Sequence, residues 1–123
     1  MSDPRARPLA DEELTATILD LVQQASERQI RRGANETAKN LNKSLSQLVV
    51  VAADATPFEI VMHLPYLCED KNVPYVYVPS KVALGRASGV SRAVLAVSFE
   101  KRKNSHLNDQ IETLCTAVEQ INV

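Results

Sequence analysis

The chain has 123 residues, 45% of them apolar, which is enough for one domain around one core and too much for a disordered tail. Its formal charge is −1, so overall basicity does not announce a nucleic-acid partner, and any basic site must be local. The two cysteines, Cys68 and Cys115, lie far apart with no C-x-x-C, so neither a zinc site nor a dense disulfide framework follows, and buried free thiols in a reducing compartment are expected.

Met1 to Ala10 carry two prolines and mixed charge, which predicts a loose, flexible arm ahead of one domain over 11–123. The start MSDPRARPLADEE has no apolar stretch of the secretory type, so a soluble intracellular protein is expected. Asp11 predicts a helix N-cap, with Glu12 and Glu13 suited to the positive end. Leu14, Ile18, Leu21, Val22 and Ala25 then recur at helical spacing. Gln29-Ile30-Arg31 reads as a short strand before a turn at Gly33. The next helix has Ala34, Ala38, Leu41 and Leu45 on one side and Asn35, Glu36, Lys39 and Lys43 on the other. QLVVVAA, Gln47 to Ala53, is β-branched and apolar on both faces, as a covered central strand should be, and its apolar run is too short to span a bilayer. Thr56-Pro57-Phe58-Glu59 reads as a capping box, with Thr56 as N-cap and Pro57 at the first helical position. Ile60, Leu64 and Leu67 continue that helix, and Pro65 kinks or ends it.

Asn72-Val73-Pro74 predicts a turn and Tyr75 to Val78 a strand. Ser80 predicts the cap of a short helix through Ala87, with Gly85 and Gly89 bracketing its end. Ser88 to Arg92 is a loop, Val94 to Phe99 a strand, and Lys101 to Asn104 a charged turn. Leu107, Ile111, Leu114, Val118 and Ile121 form the stripe of a last helix, too short for a coiled coil and better read as core. Helices alternating with strands predict one α/β domain with helix, sheet and helix layers.

The segment RRGANETAKNLNKS, Arg31 to Ser44, carries the strongest local signal. Between Arg28 and Lys43 there are five cations and one acid, Glu36, a basic patch in a neutral chain. A helix mouth attracts phosphate. Gly33 lets a ligand backbone approach. Asn35, Glu36 and Lys39 share one exposed face. Arg31 and Arg32 sit where phosphates can be held. Taken alone, the segment also fits a helix with a solvated polar face, because charge runs usually face water. The loop Gly89-Val90-Ser91-Arg92 offers an apolar wedge beside one arginine, and also fits a plain turn. Thr56 is explained by its cap and Lys81 by solvation. In α/β sheets ligands bind outside the carboxyl ends of strands, and Gly33, Thr56 and Ser80 all mark such corners. His63 and His106 lack a triad or metal pattern, and His63, among apolar neighbours, is expected to be partly buried. No P-loop or G-x-G-x-x-G occurs, and a small α/β enzyme would need a catalytic group that the sequence does not display.

RRGANETAKNLNKS, VVVAADATPFEIVMHLPYLCEDKNVPYVYVPSKVALGRASGVSR and the spacing between them resemble the kink-turn RNA-binding superfamily of ribosomal-protein relatives, in its eukaryotic NHP-two-like branch. The resemblance runs from Pro8 onward. It implies an α/β fold, a three-layer α-β-α sandwich with a mixed sheet, and no enzymatic activity, cofactor or metal. It implies binding to kink-turns in box C/D small nucleolar RNA and in a spliceosomal small nuclear RNA. That would nucleate snoRNP assembly (rRNA processing and 2′-O-methylation) and tri-snRNP assembly (pre-mRNA splicing). Nop-domain proteins are the implied partners, in nucleus and nucleolus, with a monomer when free and no membrane. A ribosomal-type relative binding an rRNA kink-turn is the alternative. By resemblance Gly33, Ala34, Asn35 and Glu36 read the sheared G·A pairs, with Lys39 one turn on and Arg32 before them. Ile60, Lys81 and Leu95 match a pocket for a flipped-out nucleotide, and Val90, Ser91 and Arg92 match the family's loop. The family usually has glutamate at the position of Thr56, which can hydrogen-bond but carries no charge, and often proline at that of Ala93.

Overall fold

The computed structural model describes residues 3–25 and 28–121. In chain order the elements are α1 (Glu12–Ala25), β1 (Ile30–Arg32), α2 (Ala34–Asn42), β2 (Ser46–Ala52), a 3-10 turn (Phe58–Val61), α3 (His63–Asp70), β3 (Tyr75–Val78), α4 (Lys81–Ala87), β4 (Ala96–Glu100) and α5 (Asn108–Ile121). The four strands form one mixed sheet in the order β1-β4-β2-β3, with β2 parallel to β3 and β4 antiparallel to both β1 and β2.

The period-two geometry of a strand explains how one apolar run serves two cores. Along β2, Leu48, Val50 and Ala52 face the layer built by α1, α4 and α5, while Val49, Val51 and Ala53 face the layer of α2 and α3. β3 repeats the pattern, with Val76 and Val78 on the first side and Tyr77 on the second. Ile18, Leu21, Val22 and Ala25 of α1 and Ile111, Leu114 and Val118 of α5 are buried, each larger side chain gaining about 1.5–3 kcal/mol over exposure. Asp11 caps α1 as expected, its carboxylate accepting the Leu14 amide at 2.8 Å.

Five expectations change. The residues expected as a loose arm are docked from Asp3 onward, and the remaining arm residues, Met1 and Ser2, lie outside the described residues, as do Asn122 and Val123 at the end of the expected domain. The Tyr77 amide donates to Pro8 (2.9 Å), the Ala10 amide donates to Tyr77 (2.9 Å), and Ala6 and Ala10 are buried, so 8–10 covers the free edge of β3. Arg5 lies over the Phe58 ring (4.9 Å) and pairs with Asp3, which holds the Asp3 carboxyl below the ordinary carboxylate range. Second, Thr56 caps nothing. Pro57 is extended (ψ 148°), the turn begins one residue later at Phe58, and the Thr56 hydroxyl turns back to the Asp54 carbonyl at 3.2 Å. Third, the break in that helix falls at Met62, before Pro65, which sits in the first turn of α3, where a missing N–H costs nothing. Fourth, His63 opens α3 exposed, on the side away from buried Leu64 and Cys68. The last strand also begins later than expected, at Ala96.

Cys68 is buried and Cys115 half-buried, both free. Burial pushes the Cys68 thiol up to about 12 and the Cys115 thiol up to about 11, because desolvation disfavours the thiolate.

Candidate nucleic-acid interface

Sheet registry brings the sequence-distant corners together. Arg32 pairs with Val97, Val51 with Ala96, and Ala52 with Val78. The carboxyl ends of β1, β2 and β3 and the start of β4 therefore share one end of the sheet. Gly33, Asp54 to Thr56, Ser80-Lys81 and the 88–95 segment all leave from that end. Cross-links between them are specific. The Gly33 amide donates to Ala96 (2.7 Å), Ala52 to Leu95 (2.8 Å) and Val94 to Lys81 (3.1 Å).

Gly33 has φ +98°, a conformation that costs a residue with a Cβ, and no side chain caps the N-terminus of α2 that follows. The first-turn donors of α2 thus lack a side-chain acceptor at the place where Asn35 and Glu36 stand exposed. Lys39 is exposed one turn on, its ammonium 3.4 Å from the Glu36 carboxylate, a weak surface pair that a ligand can replace. Ala34 is half-buried against the α2 and α3 core and fixes the helix start. Arg32 is half-buried, and its Nε donates to the Ser88 carbonyl at 2.8 Å, tying β1 to the end of α4. The remaining guanidinium nitrogens are available to an anion.

The second cluster centres on Asp54. Its carboxylate accepts the Lys81 amide at 2.8 Å, and its carbonyl accepts the Thr56 hydroxyl. Ser80 accepts the Ala83 amide at 3.1 Å, the cap expected from the sequence. The first turn of α4 is thus internally capped, and the half-buried Lys81 side chain, not the helix mouth, is the anion-attracting group there. Ile60 is 43% exposed and Val82, next to Lys81 in the chain, is 52% exposed, two large apolar side chains left in water. Leu95 is half-buried against the second core. Val90 is half-buried against the first core, and Ser91 and Arg92 are exposed.

The five-cation patch does not stay together. Arg31 points toward the opposite end of the sheet and pairs with Glu100 at 3.1 Å, where Arg102 (3.0 Å) and the Asn40 amide (3.3 Å) also meet that carboxylate. Lys43 sits at the far end of α2, and Arg28 precedes β1. Of that patch Arg32 and Lys39 stay at the loop-bearing end, where Lys81 and Arg92 join them. Asp54 and Gly85 also shape this end of the sheet, and no sequence motif marks them for it. Asp54 reads as a strand terminator, and Gly85 reads as the end of a helix. In the fold a Cβ on Gly85 would overlap the Arg92 carbonyl oxygen, so this glycine sets how closely the 88–93 loop lies on α4.

A mixed sheet between two helical layers, with basic and amide side chains from β1, α2, α4 and the 88–95 segment gathered at one end, defines a small α/β binding domain. Residues 16–108 match the Ribosomal protein L7Ae/L30e/S12e/Gadd45 family, and the chain belongs to that family. It is 56% identical to NHP2-like protein 1 of Xenopus laevis over 120 residues, which span 97% of this chain and 94% of the relative. It is 55% identical to the 13 kDa ribonucleoprotein-associated protein of Yarrowia lipolytica, covering 97% and 95%. The solved structure of the Giardia lamblia 15.5kD RNA binding protein superposes with a TM-score of 0.91 at 48% identity, covering 97% of this chain and 98% of that one.

Proposed function

We propose that the chain is an RNA-binding protein of the L7Ae type that recognises kink-turns through Arg32 to Lys39, Lys81 and the Val90-Ser91-Arg92 loop. Membership of the family makes it a binding protein and not an enzyme. The observation that carries the site is the convergence at one sheet end of an uncapped helix start after a positive-φ glycine with a lysine and an arginine from separate corners.

A sharply bent RNA presents splayed, unstacked bases that side chains can read, whereas the A-form major groove is too narrow. Asn35 and Glu36 offer donor and acceptor groups to base edges. Lys39 adds a charged donor beside them, and Arg32, Lys81 and Arg92 attract phosphates. Ile60, Val82 and Leu95 supply apolar surface for an extruded base. A protein that contacts only the bent form shifts the RNA toward it by its differential affinity. Thr56 donates its hydroxyl to Asp54 and brings no charge, so the base pocket of this chain rests on Lys81 and apolar contact.

The RNAs we assign are box C/D small nucleolar RNA and a spliceosomal small nuclear RNA. The protein then acts as a monomeric nucleating subunit in nucleus and nucleolus, and Nop-domain proteins read the joint surface. The names of the relatives, NHP2-like and ribonucleoprotein-associated, favour this over an rRNA target. A gel shift with a kink-turn RNA and an A-form hairpin tests the binding. Selective retention of the kink-turn is expected, and Asn35→Ala should cost about 1–3 kcal/mol, the scale of a base-edge contact. Equal affinity for both RNAs would end the proposal. Sequencing of copurifying RNA identifies the target, and a predominance of rRNA would move it to the ribosome.

A further inference from the structure

α1 and α5 lie side by side on one face of the domain and leave an open groove of about 600 Å³ between them. Leu21 and Leu114 form its buried floor, extended outward by half-buried Leu14 and Ala117 and by Ile121, which is 44% exposed. Its rims carry Asp11, Glu13, Asp20 and Asp109. No lysine or arginine occurs in 11–25 or 108–121, whereas Glu12, Glu112 and Glu119 add acids to the same two helices. First-turn acids suit a helix dipole. The dipole does not account for Asp20, Glu112 and Glu119 in the body and later turns, nor for last turns without a base in both helices. In a chain of net charge −1, this face is acidic because the cations are concentrated elsewhere.

We propose that this groove docks a basic amphipathic helix of a protein partner, with leucine-type side chains on the floor and lysine or arginine against the two rims. An apolar groove between parallel ridges is the surface an amphipathic helix fills, reading anchors at helical spacing. Charge selects the occupant. A second copy of this chain would set acidic rim against acidic rim, and RNA would be repelled. The groove includes no residue of α2, α4 or the 88–92 loop, so docking leaves the proposed RNA surface free.

The test uses the isotope-labelled full chain and a designed helical peptide of about 14 residues, the length of either helix, with leucines on one face and lysines and arginines flanking them. Saturable NMR shifts at Leu14, Thr17, Thr113 and Ala117 are expected, weakening as salt rises. Thr17→Lys with Thr113→Lys, both exposed residues on the groove, should weaken the peptide roughly tenfold or more while the melting temperature stays unchanged. Ile121→Ser gives an independent loss of apolar floor. The proposal is overturned if the basic peptide does not saturate, if a peptide with glutamates in place of its cations binds as well, or if the shifts fall elsewhere. It is equally overturned if a kink-turn RNA moves the same resonances, or if light scattering shows a dimer that Thr17→Lys breaks.

Discussion

Replacing Gly85 with alanine sets two physical effects against each other, and the sign of the result decides between them. Gly85 lies inside α4, where alanine is favoured over glycine by about 1 kcal/mol of helix propensity. Propensity alone therefore makes Gly85→Ala stabilising. The fold opposes it. A Cβ there would overlap the carbonyl oxygen of Arg92, with the Arg92 carbonyl carbon at 3.1 Å and the Val94 amide nitrogen at 3.3 Å. All three atoms are backbone, so no flexible side chain can move aside. The loop is also anchored on both sides, by Val94 donating to Lys81 and Val90 donating to Gly85, each at 3.1 Å. Forcing a methyl group into such a contact costs about 2–3 kcal/mol, the upper part of the usual overpacking range, because the backbone must shift, and the propensity gain offsets about 1 kcal/mol of it. The expected net loss is about 1–2 kcal/mol, a fall in melting temperature of roughly 3–6 °C per kcal/mol for a domain of this size. Thermal and urea denaturation read it directly. RNA affinity should fall further than the unfolded fraction explains, since Arg92 moves with the displaced carbonyl. A Gly85→Ala protein as stable as the wild type, or more so, would refute the close packing of the loop on α4.

Ser80→Ala should cost about 1 kcal/mol in urea denaturation because it removes a real cap, whereas Thr56→Ala should stay within roughly 0.5 kcal/mol because that hydroxyl caps nothing. Glu100→Gln should lower stability by about 1–2 kcal/mol; the buried carboxylate has three partners, but Arg31 and Arg102 are exposed enough to return to water. Native Cys68 and Cys115 should resist iodoacetamide at neutral pH and react in urea. Their folded pKa values, about 12 and about 11, stand above the ordinary 9.0, and Tyr77 at about 12 stands above 10.0. The folded state therefore holds more protons in that range. Stability from these groups is full below pH 9 and falls as pH rises through 9 to 12, which the urea midpoint measures; a midpoint that rises with pH contradicts the burial.

Particular residues show how far the sequence carries. Leu48 to Ala53 is apolar at every position, so it cannot be an exposed strand of either register and had to be covered on both faces, although its neighbours β4 and β3 are known only from the fold. The Asp11 and Ser80 caps involve residues three apart and were legible for the same local reason. Thr56 matched the same kind of pattern and failed, because Pro57 is extended and the Thr56 hydroxyl donates to the Asp54 carbonyl instead of meeting a helix amide. Arg31 and Arg32 are neighbours in the chain, yet one meets Glu100 and the other Ser88, since strand geometry sends adjacent side chains to opposite sides.

The sequence by itself determined the element types, the two-faced central strand and the amide, carboxylate and lysine on the outer face of α2, since periodicity and short-range hydrogen bonding depend on spacing alone. Only the tertiary structure decided that Gly33, Asp54, Lys81 and Arg92 share one end of the sheet, that Gly85 admits no side chain, and that the N-terminal residues seal the β3 edge. Those features depend on strand order and register, which bring together residues tens of positions apart and which no local pattern encodes.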